Sequence, residues 1–214
     1  MLRRVLTAIL GRGYEIINKK VVAAIPGAWI PRWVKNEIIQ LPVPNLGAFV
    51  KAEHGNISYF YGIPYHQDLI DYQDRCSDFI TVYVYLNHVS ETESPLFVIP
   101  GSHRFGATKF PHELKSLDSG SKSQSWIYSD GMGKEMKVRH EMLCGNAGSV
   151  YLWHPCMLHG TLPSRLRRSE PTNRVSLRYI VAKNKKGRSC LIDDVNSRID
   201  GRLSLKNTLA AHSG

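Results

Sequence analysis

The chain has 214 residues, of which 43% are hydrophobic, and it carries a net charge of +10. This length and composition predict a single domain over residues 1–214 with a substantial core, since no linker rich in proline or serine and no internal repeat divides it. The four cysteines lack a Cys-x-x-Cys motif and the spacing of a disulfide framework, so we expect a reducing, cytoplasmic setting.

The N-terminal segment, residues 1–45, is predicted to give helical support to the rest of the domain. Apolar residues recur at near-helical spacing from Leu2 to Ile17, and a second short helix is expected at 32–41. The apolar run that ends at Gly11 is too short for the core of a signal peptide, and no segment is long enough to span a bilayer. A helix on the outside of a sheet is therefore favoured over one in a membrane interface.

The most informative motif is His66-Gln67-Asp68. It lies in a stretch that reads as extended chain, where residues i and i+2 share one face, so His66 and Asp68 can reach the same ion. A His-x-Asp tripeptide alone is weak, because it could equally be a polar surface pair. Its weight comes from the segments that follow it.

Two of these segments come next in the chain. Residues 79–87 alternate as a β-strand, with Thr81, Tyr83 and Tyr85 on one face. Residues 95–104 are apolar and end in a Pro-Gly-Ser-His-Arg turn.

The second pair of segments supplies a histidine and an arginine. A glycine-led strand over 148–160 carries His159, and the strand over 173–181 has Arg174 near its start. His159 could instead be a hydrogen-bonded core histidine, and Arg174 an ordinary surface cation. Two imidazoles with one carboxylate suit a ferrous ion and leave three coordination positions open, so His66, Asp68 and His159 are the predicted metal ligands.

The ordered set of segments, over roughly residues 48–183, resembles the phytanoyl-CoA dioxygenase family. The resemblance implies a mainly β fold with flanking α-helices, whose core is a double-stranded β-helix (jelly-roll, cupin-like). It also implies Fe(II) and 2-oxoglutarate as cofactors and dioxygen as co-substrate. Two positions depart from the pattern: Ser94 replaces the usual glycine before Pro-Leu, and Pro163-Ser164 replaces a common Pro-Asn.

The resemblance further implies hydroxylation of an unactivated C–H bond, with formation of succinate and CO2. Asp68 favours this outcome over halogenation, because related halogenating enzymes have a small residue in place of the carboxylate. Desaturation, ring closure and epimerisation by the same centre stay open. The expected substrate is a small or medium organic molecule, with anionic and carrier-linked compounds among the candidates.

The far carboxylate of 2-oxoglutarate calls for a guanidinium group, which offers two parallel donors. Arg174 matches the family position, and Arg178, on the same face of the strand, is the alternative. Thr81 and Tyr83 are candidate hydrogen-bond donors to the co-substrate, although both residue types are common in strands. Candidates for the substrate pocket are Trp153 and Gln67.

Three remaining regions carry weaker predictions. Residues 105–147 are rich in glycine and serine and are predicted to be a lid or a tolerated insertion, and 184–214 a tail. Basic residues concentrate at 165–188, where they could attract anionic ligands or form a solvated face. The alternative function is a non-catalytic β-helix module that binds anions or nucleic acid, although no nucleic-acid reader motif is present.

Overall fold

The computed structural model describes residues 1–41, 43–68, 79–106, 113–116, 125–129, 133, 135–163 and 173–183. The helices are α1 (Leu2–Leu10) and α2 (Arg32–Ile38). The strands are β1 (Glu15–Ala24), β2 (Ile57–Phe60), β3 (Ile63–His66), β4 (Phe79–Tyr85), β5 (Leu96–Val98), β6 (Glu113–Ser116), β7 (Ser125–Ser129), β8 (Glu135–Arg139), β9 (Glu141–Leu143), β10 (Val150–Trp153), β11 (His159–Thr161) and β12 (Arg174–Ala182).

The large sheet has five strands in the order β10-β4-β12-β1-β2. Its middle strand, β12, pairs antiparallel with β4 on one side and with β1 on the other. All three are rich in β-branched and aromatic residues, which favour strands. In β12 polar and apolar residues alternate, but the polar face, with Arg174, Ser176 and Arg178, is more buried than the apolar face.

The small sheet has four strands in the order β3-β11-β5-β9. Residues of both sheets meet in one core, in which Val22 and Tyr85 of the large sheet pack in the same cluster as Ile63 and Leu96 of the small sheet. The fold is thus mainly β with flanking helices, and the two sheets form the jelly-roll of the cupin-like fold. The strand order of the two sheets confirms the expected fold class.

The N-terminal segment differs from the prediction for residues 1–45. Helix α1 does pack on the outside of the large sheet, where Leu6 and Leu10 contact the cluster around Val82, and α2 lies within the predicted 32–41. Residues 15–24, however, form strand β1 and not helix. The β-branched residues of this stretch favour a strand, and β12 and β2 offer it a partner on either side, so pairing overrides the weak helical spacing.

The segment 105–147 is more regular than predicted. Its strands β6, β7 and β8 form a separate antiparallel sheet, and β9 extends the small sheet. Tyr128 and Val138 of this third sheet pack with Tyr65 and Leu158. Tyr65 and Leu158 directly precede His66 and His159, and neighbouring side chains of a strand point to opposite faces. The third sheet therefore packs on the face of the small sheet that is turned away from the two histidines. The loops to which a lid role could apply lie outside the described residues.

Within the described ranges, no helix is both long and apolar enough to cross a membrane. Cys144 and Cys156 are free thiols there. The cytoplasmic setting stays a prediction. The tail 184–214 lies outside the described residues, as do six of the nine basic residues of the cluster 165–188; Arg174, Arg178 and Lys183 are described.

Candidate metal and co-substrate site

The two predicted histidine ligands are direct cross-strand neighbours. His66 at the end of β3 pairs in register with His159 at the start of β11, and their ring centroids lie 4.2 Å apart. Asp68, two residues beyond the end of β3, joins them. One ligand atom from each of the three residues lies within 4.8 Å of the other two. The structure therefore brings together the three side chains that the sequence analysis named as metal ligands.

Both imidazoles are oriented by the backbone. Nδ1 of His66 lies 2.9 Å from the carbonyl oxygen of Pro64, and Nδ1 of His159 lies 2.9 Å from that of Met157. A carbonyl can only accept, so each Nδ1 carries the proton and each Nε2 keeps its lone pair. Hydrogen bonds of this kind are the usual outer partners of metal-binding histidines.

The protonation state of His66 also suits a ligand. Burial of the ring and the nearby His159 imidazole lower the pKa of His66 to about 3, and Asp68 offsets only part of this effect. The ring is therefore neutral at neutral pH, which is the form that binds a metal.

Asp68 is the most heavily bonded side chain of the site. Its Oδ1 accepts a hydrogen bond of 2.6 Å from Nη2 of Arg178. Its Oδ2 accepts hydrogen bonds from the hydroxyl of Thr81 and, at 3.2 Å, from Nε1 of Trp153. Oδ2 also lies 3.5 Å from Nε2 of His159. Two ligands at right angles on one ion, each about 2.1 Å from it, are roughly 3 Å apart, so this spacing is close to that of a shared metal.

The carboxylate is held in its charged form. Burial by itself raises the pKa of Asp68, but the Arg178 guanidinium and the two neighbouring imidazoles together hold it well below its usual range. The site thus presents an anionic oxygen ligand beside two imidazole nitrogens, the donor set expected for a ferrous facial triad.

Arg174 is fully buried and incompletely satisfied. Its Nε donates to the carbonyl oxygen of Ser94 at 2.7 Å, and its Nη1 donates to Oγ of Ser176 at 2.8 Å. Its Nη2 has no hydrogen-bond partner in the part of the chain that the structure describes. Burial lowers the pKa of Arg174, and the neighbouring phenols of Tyr83 and Tyr85 partly counter this effect. A buried guanidinium with an unpartnered nitrogen is costly, and an anionic ligand would remove this cost.

Ser94 explains one departure from the family pattern. Its φ is +60°, in the left-handed region that favours glycine, and it is the only such non-glycine residue in the described part of the chain. The Ser94 hydroxyl donates to the carbonyl oxygen of Leu162, which fixes the turn in the absence of a glycine. The same turn aims the Ser94 carbonyl at Arg174.

The other predicted site residues fall in three places. Thr81 and Arg178, proposed for the co-substrate, both bond to Asp68; the single hydroxyl proton of Thr81 is used there, so the hydroxyl cannot also donate to a co-substrate. Tyr83 stacks on Trp153, with ring centroids 5.1 Å apart, and Trp153 in turn contacts His159. Gln67 is buried and donates to the carbonyl oxygens of Gly106 and Cys156, which makes it a support of the loop and not a lining residue.

Sequence reasoning missed the groups that position Arg174. Ser176 is two residues from Arg174, so it lies on the same face of the strand, and this spacing was the available signal. Asn87 was not singled out, yet its amide donates to the Asn173 carbonyl and accepts from the Val175 amide, so it holds both neighbours of Arg174. The Ser94 carbonyl had no signal, because its direction depends on a turn between distant strands.

Gly160, which follows the distal histidine, is required by close packing. A Cβ atom at this position would lie 2.5 Å from the Ile63 carbonyl oxygen and 2.6 Å from the Phe97 ring. The glycine therefore allows β11 to lie close to β3, and this closeness brings His159 to His66.

Comparison with known proteins agrees with this geometry. Residues 18–169 match the family model described as phytanoyl-CoA dioxygenase (PhyH). The match includes all three candidate metal ligands and ends before Arg174 and Arg178.

Similarity to individual proteins is more distant. The chain is 29% identical over 132 residues to a probable alpha-ketoglutarate-dependent hypophosphite dioxygenase of Stutzerimonas stutzeri, a match over 60% of this chain and 45% of the relative. The chain thus spans less than half the length of that relative. Among solved structures it is similar to the apo form of the non-heme monooxygenase ThoJ (15% identity, TM-score 0.48, covering 85% of this chain and 51% of that one) and to EvdMO1 (14% identity, TM-score 0.46, 85% and 30%).

Proposed function

The chain belongs to the phytanoyl-CoA dioxygenase family, and from this premise we propose that it is an Fe(II)- and 2-oxoglutarate-dependent dioxygenase. One observation carries the proposal. A cluster of two imidazoles and a carboxylate is bonded to Arg178, and the same buried face of β12 carries Arg174, whose Nη2 has no hydrogen-bond partner among the described residues. The first part suits a ferrous ion and the second suits a carboxylate ligand.

The metal would be held by Nε2 of His66, Nε2 of His159 and one oxygen of Asp68. The Pro64 and Met157 carbonyls accept from Nδ1 of the two rings, which leaves Nε2 of each ring as the atom that faces the metal. Three protein ligands leave three positions open for the co-substrate and dioxygen.

Arg174 would bind the far carboxylate of 2-oxoglutarate. Ser94 and Ser176 already fix two of its nitrogens, so the guanidinium is oriented before a ligand arrives and loses little conformational entropy on binding. When bound, iron and 2-oxoglutarate supply the activation of dioxygen, in which 2-oxoglutarate is converted to succinate and CO2 and the substrate is oxidised. Tyr83 remains a candidate donor to the co-substrate.

The aromatic side chains exclude water from the inner side of the centre. Trp153 lies between Tyr83, on which it stacks, and His159, and its indole nitrogen holds Asp68. This arrangement leaves the face of the metal position away from Trp153 for the substrate. A dry surrounding also strengthens the charge interactions that orient the bound anions.

For the substrate we propose a small or medium-sized molecule that is hydroxylated, with an anion favoured. The inner face of β12 carries two buried guanidinium groups, those of Arg174 and Arg178, and Arg178 is paired with the carboxylate of Asp68. With a divalent ion and dianionic 2-oxoglutarate added, a net positive charge remains, which favours an anionic substrate. The name of the relative from S. stutzeri, with its small inorganic anion, agrees with this class.

The proposal is tested by turnover of 2-oxoglutarate. Purified protein with Fe(II), ascorbate and air is expected to form succinate slowly without substrate and faster with the correct one, so the assay also screens small oxyanions and carboxylates. His66→Ala is expected to abolish succinate formation while the circular dichroism spectrum is retained. Absence of turnover in folded, iron-loaded protein, together with salt-dependent binding of polyanions, would favour the non-catalytic anion- or nucleic-acid-binding module.

A further inference from the structure

Among the described residues, Arg178 is the one arginine or lysine that forms an ion pair with a candidate metal ligand. Its side chain is 5% exposed, that of Asp68 is 2% exposed, and the two form an ion pair with an N–O distance of 2.6 Å. A pair this short and this buried keeps much of its charge interaction, because water screens it little.

The three donors to Asp68 come from three adjacent strands of the large sheet. Trp153 on β10 pairs in register with Thr81 on β4, and Arg178 on β12 pairs with Tyr83, two residues further along β4. Asp68 itself follows β3 of the small sheet, so its carboxylate bridges the two sheets. Its orientation is therefore set by the large sheet before any metal is bound.

The two oxygens of Asp68 are not equivalent. Oδ2 accepts from two uncharged donors and faces His159, whereas Oδ1 accepts from the guanidinium. The cation on Oδ1 disfavours a second metal bond through that oxygen. It also withdraws charge from the carboxylate that a divalent ion must share.

Resting on the proposed function, we propose that Arg178 is a positioning residue that neutralises Asp68, so that the loaded site keeps its positive charge for anionic ligands. The ion pair between Arg178 and Asp68 lowers the affinity of the site for the metal and raises its affinity for 2-oxoglutarate. A purely structural arginine would not do so, because its loss would weaken both.

The test compares Arg178→Gln, Arg178→Lys and Thr81→Val with wild type. Glutamine removes the charge and keeps an uncharged donor on a shorter side chain, lysine keeps the charge, and valine removes a donor from the same carboxylate at constant charge. Co(II) binding is measured by its visible absorption, and 2-oxoglutarate binding to the Co(II)-loaded protein by calorimetry. Neither readout requires turnover.

In Arg178→Gln we expect Co(II) to bind about tenfold more tightly and 2-oxoglutarate about tenfold more weakly, as loss of one nearby positive charge requires. Arg178→Lys should keep an affinity for 2-oxoglutarate close to that of wild type. Thr81→Val should weaken Co(II) binding by about 10–100-fold, the usual effect of removing a partner of a metal ligand, with little change for 2-oxoglutarate.

Parallel loss of both affinities in Arg178→Gln, while wild type binds Co(II) normally, would overturn the role of Arg178 and leave the proposed function standing. If Arg178→Gln does not fold, Arg178→Lys decides, because a marked loss of 2-oxoglutarate affinity in a folded protein with the charge retained contradicts the proposal. Failure of wild type to bind Co(II) would overturn the proposed function itself.

Discussion

The inner face of β12 holds two buried arginines, four residues apart, in opposite electrostatic conditions. Around Arg178 the structure is complete, because the guanidinium neutralises Asp68 and the carboxylate is also held by Thr81 and Trp153. Around Arg174 it is incomplete, because two nitrogens bond to neutral serine oxygens and the third has no partner among the described residues. The contrast separates a guanidinium that already stabilises an internal carboxylate from one that we propose receives an external anion.

The largest expected effect comes from removing the internal carboxylate. Asp68→Ala leaves the Arg178 guanidinium buried without its counterion, which typically costs about 3–5 kcal/mol. We expect a loss of this size in the free energy of unfolding of the metal-free protein, measured in urea, and loss of Co(II) binding. The exposed Glu53→Ala is the matched control, and its change should stay within about 0.5 kcal/mol.

The incomplete region should respond in the opposite way. Arg174→Met removes a buried cation that lacks a carboxylate partner, so the free energy of unfolding should stay the same or rise, since apolar replacement of buried charge is often stabilising. Affinity for 2-oxoglutarate should fall about 100-fold, in line with the loss of a buried charge partner, while Co(II) still binds. A variant as unstable as Asp68→Ala would show that the two regions do not differ in the way described.

A smaller effect is expected where the two histidine strands meet. In Gly160→Ala the added Cβ overlaps the Ile63 carbonyl and the Phe97 ring, which should lower the free energy of unfolding by about 1–3 kcal/mol. Separation of β11 from β3 should also weaken Co(II) binding. Gly101→Ala provides the contrast, because Gly101 has φ +82° but open space around it, so it should lose stability through backbone strain and leave Co(II) binding unchanged.

The smallest effect concerns the turn that carries a carbonyl to Arg174. Ser94→Gly relieves the positive φ but loses the hydrogen bond to Leu162, so the two effects should nearly cancel, to within about 1 kcal/mol. Ser94→Ala keeps the strain and loses the bond, and should be the less stable of the two. Thermal unfolding of both variants gives the comparison, and equal stability would mean that the strain is negligible.

The sequence predicted the parts of this site that depend on local order. The ligands His66 and Asp68 share a face because they are two residues apart, and Arg174 and Arg178 share a face because a strand has a period of two. Their partners could not be predicted. That Arg178 lies on Asp68, and Arg174 on Ser94, depends on the register between strands that are far apart in the chain.

The same limit explains the errors in the fold. Residues 15–24 carry apolar side chains compatible with helix or strand. They form a strand because β12 offers them an edge with which to pair. The three-stranded sheet inside 105–147 forms because Tyr128 and Val138 find the outer face of the small sheet. Neither partner can be read from local spacing.

We propose that one site combines a triad of ferrous ligands with an anion receptor at Arg174. The most direct test is an anaerobic titration of the protein with Fe(II) and then 2-oxoglutarate, following the weak visible metal-to-ligand charge-transfer band in wild type, His66→Ala and Arg174→Met. We predict a band in wild type, no band in His66→Ala, and in Arg174→Met a band that requires about 100-fold more 2-oxoglutarate. No band in folded, iron-loaded wild type, or equal 2-oxoglutarate requirements in wild type and Arg174→Met, would contradict the account.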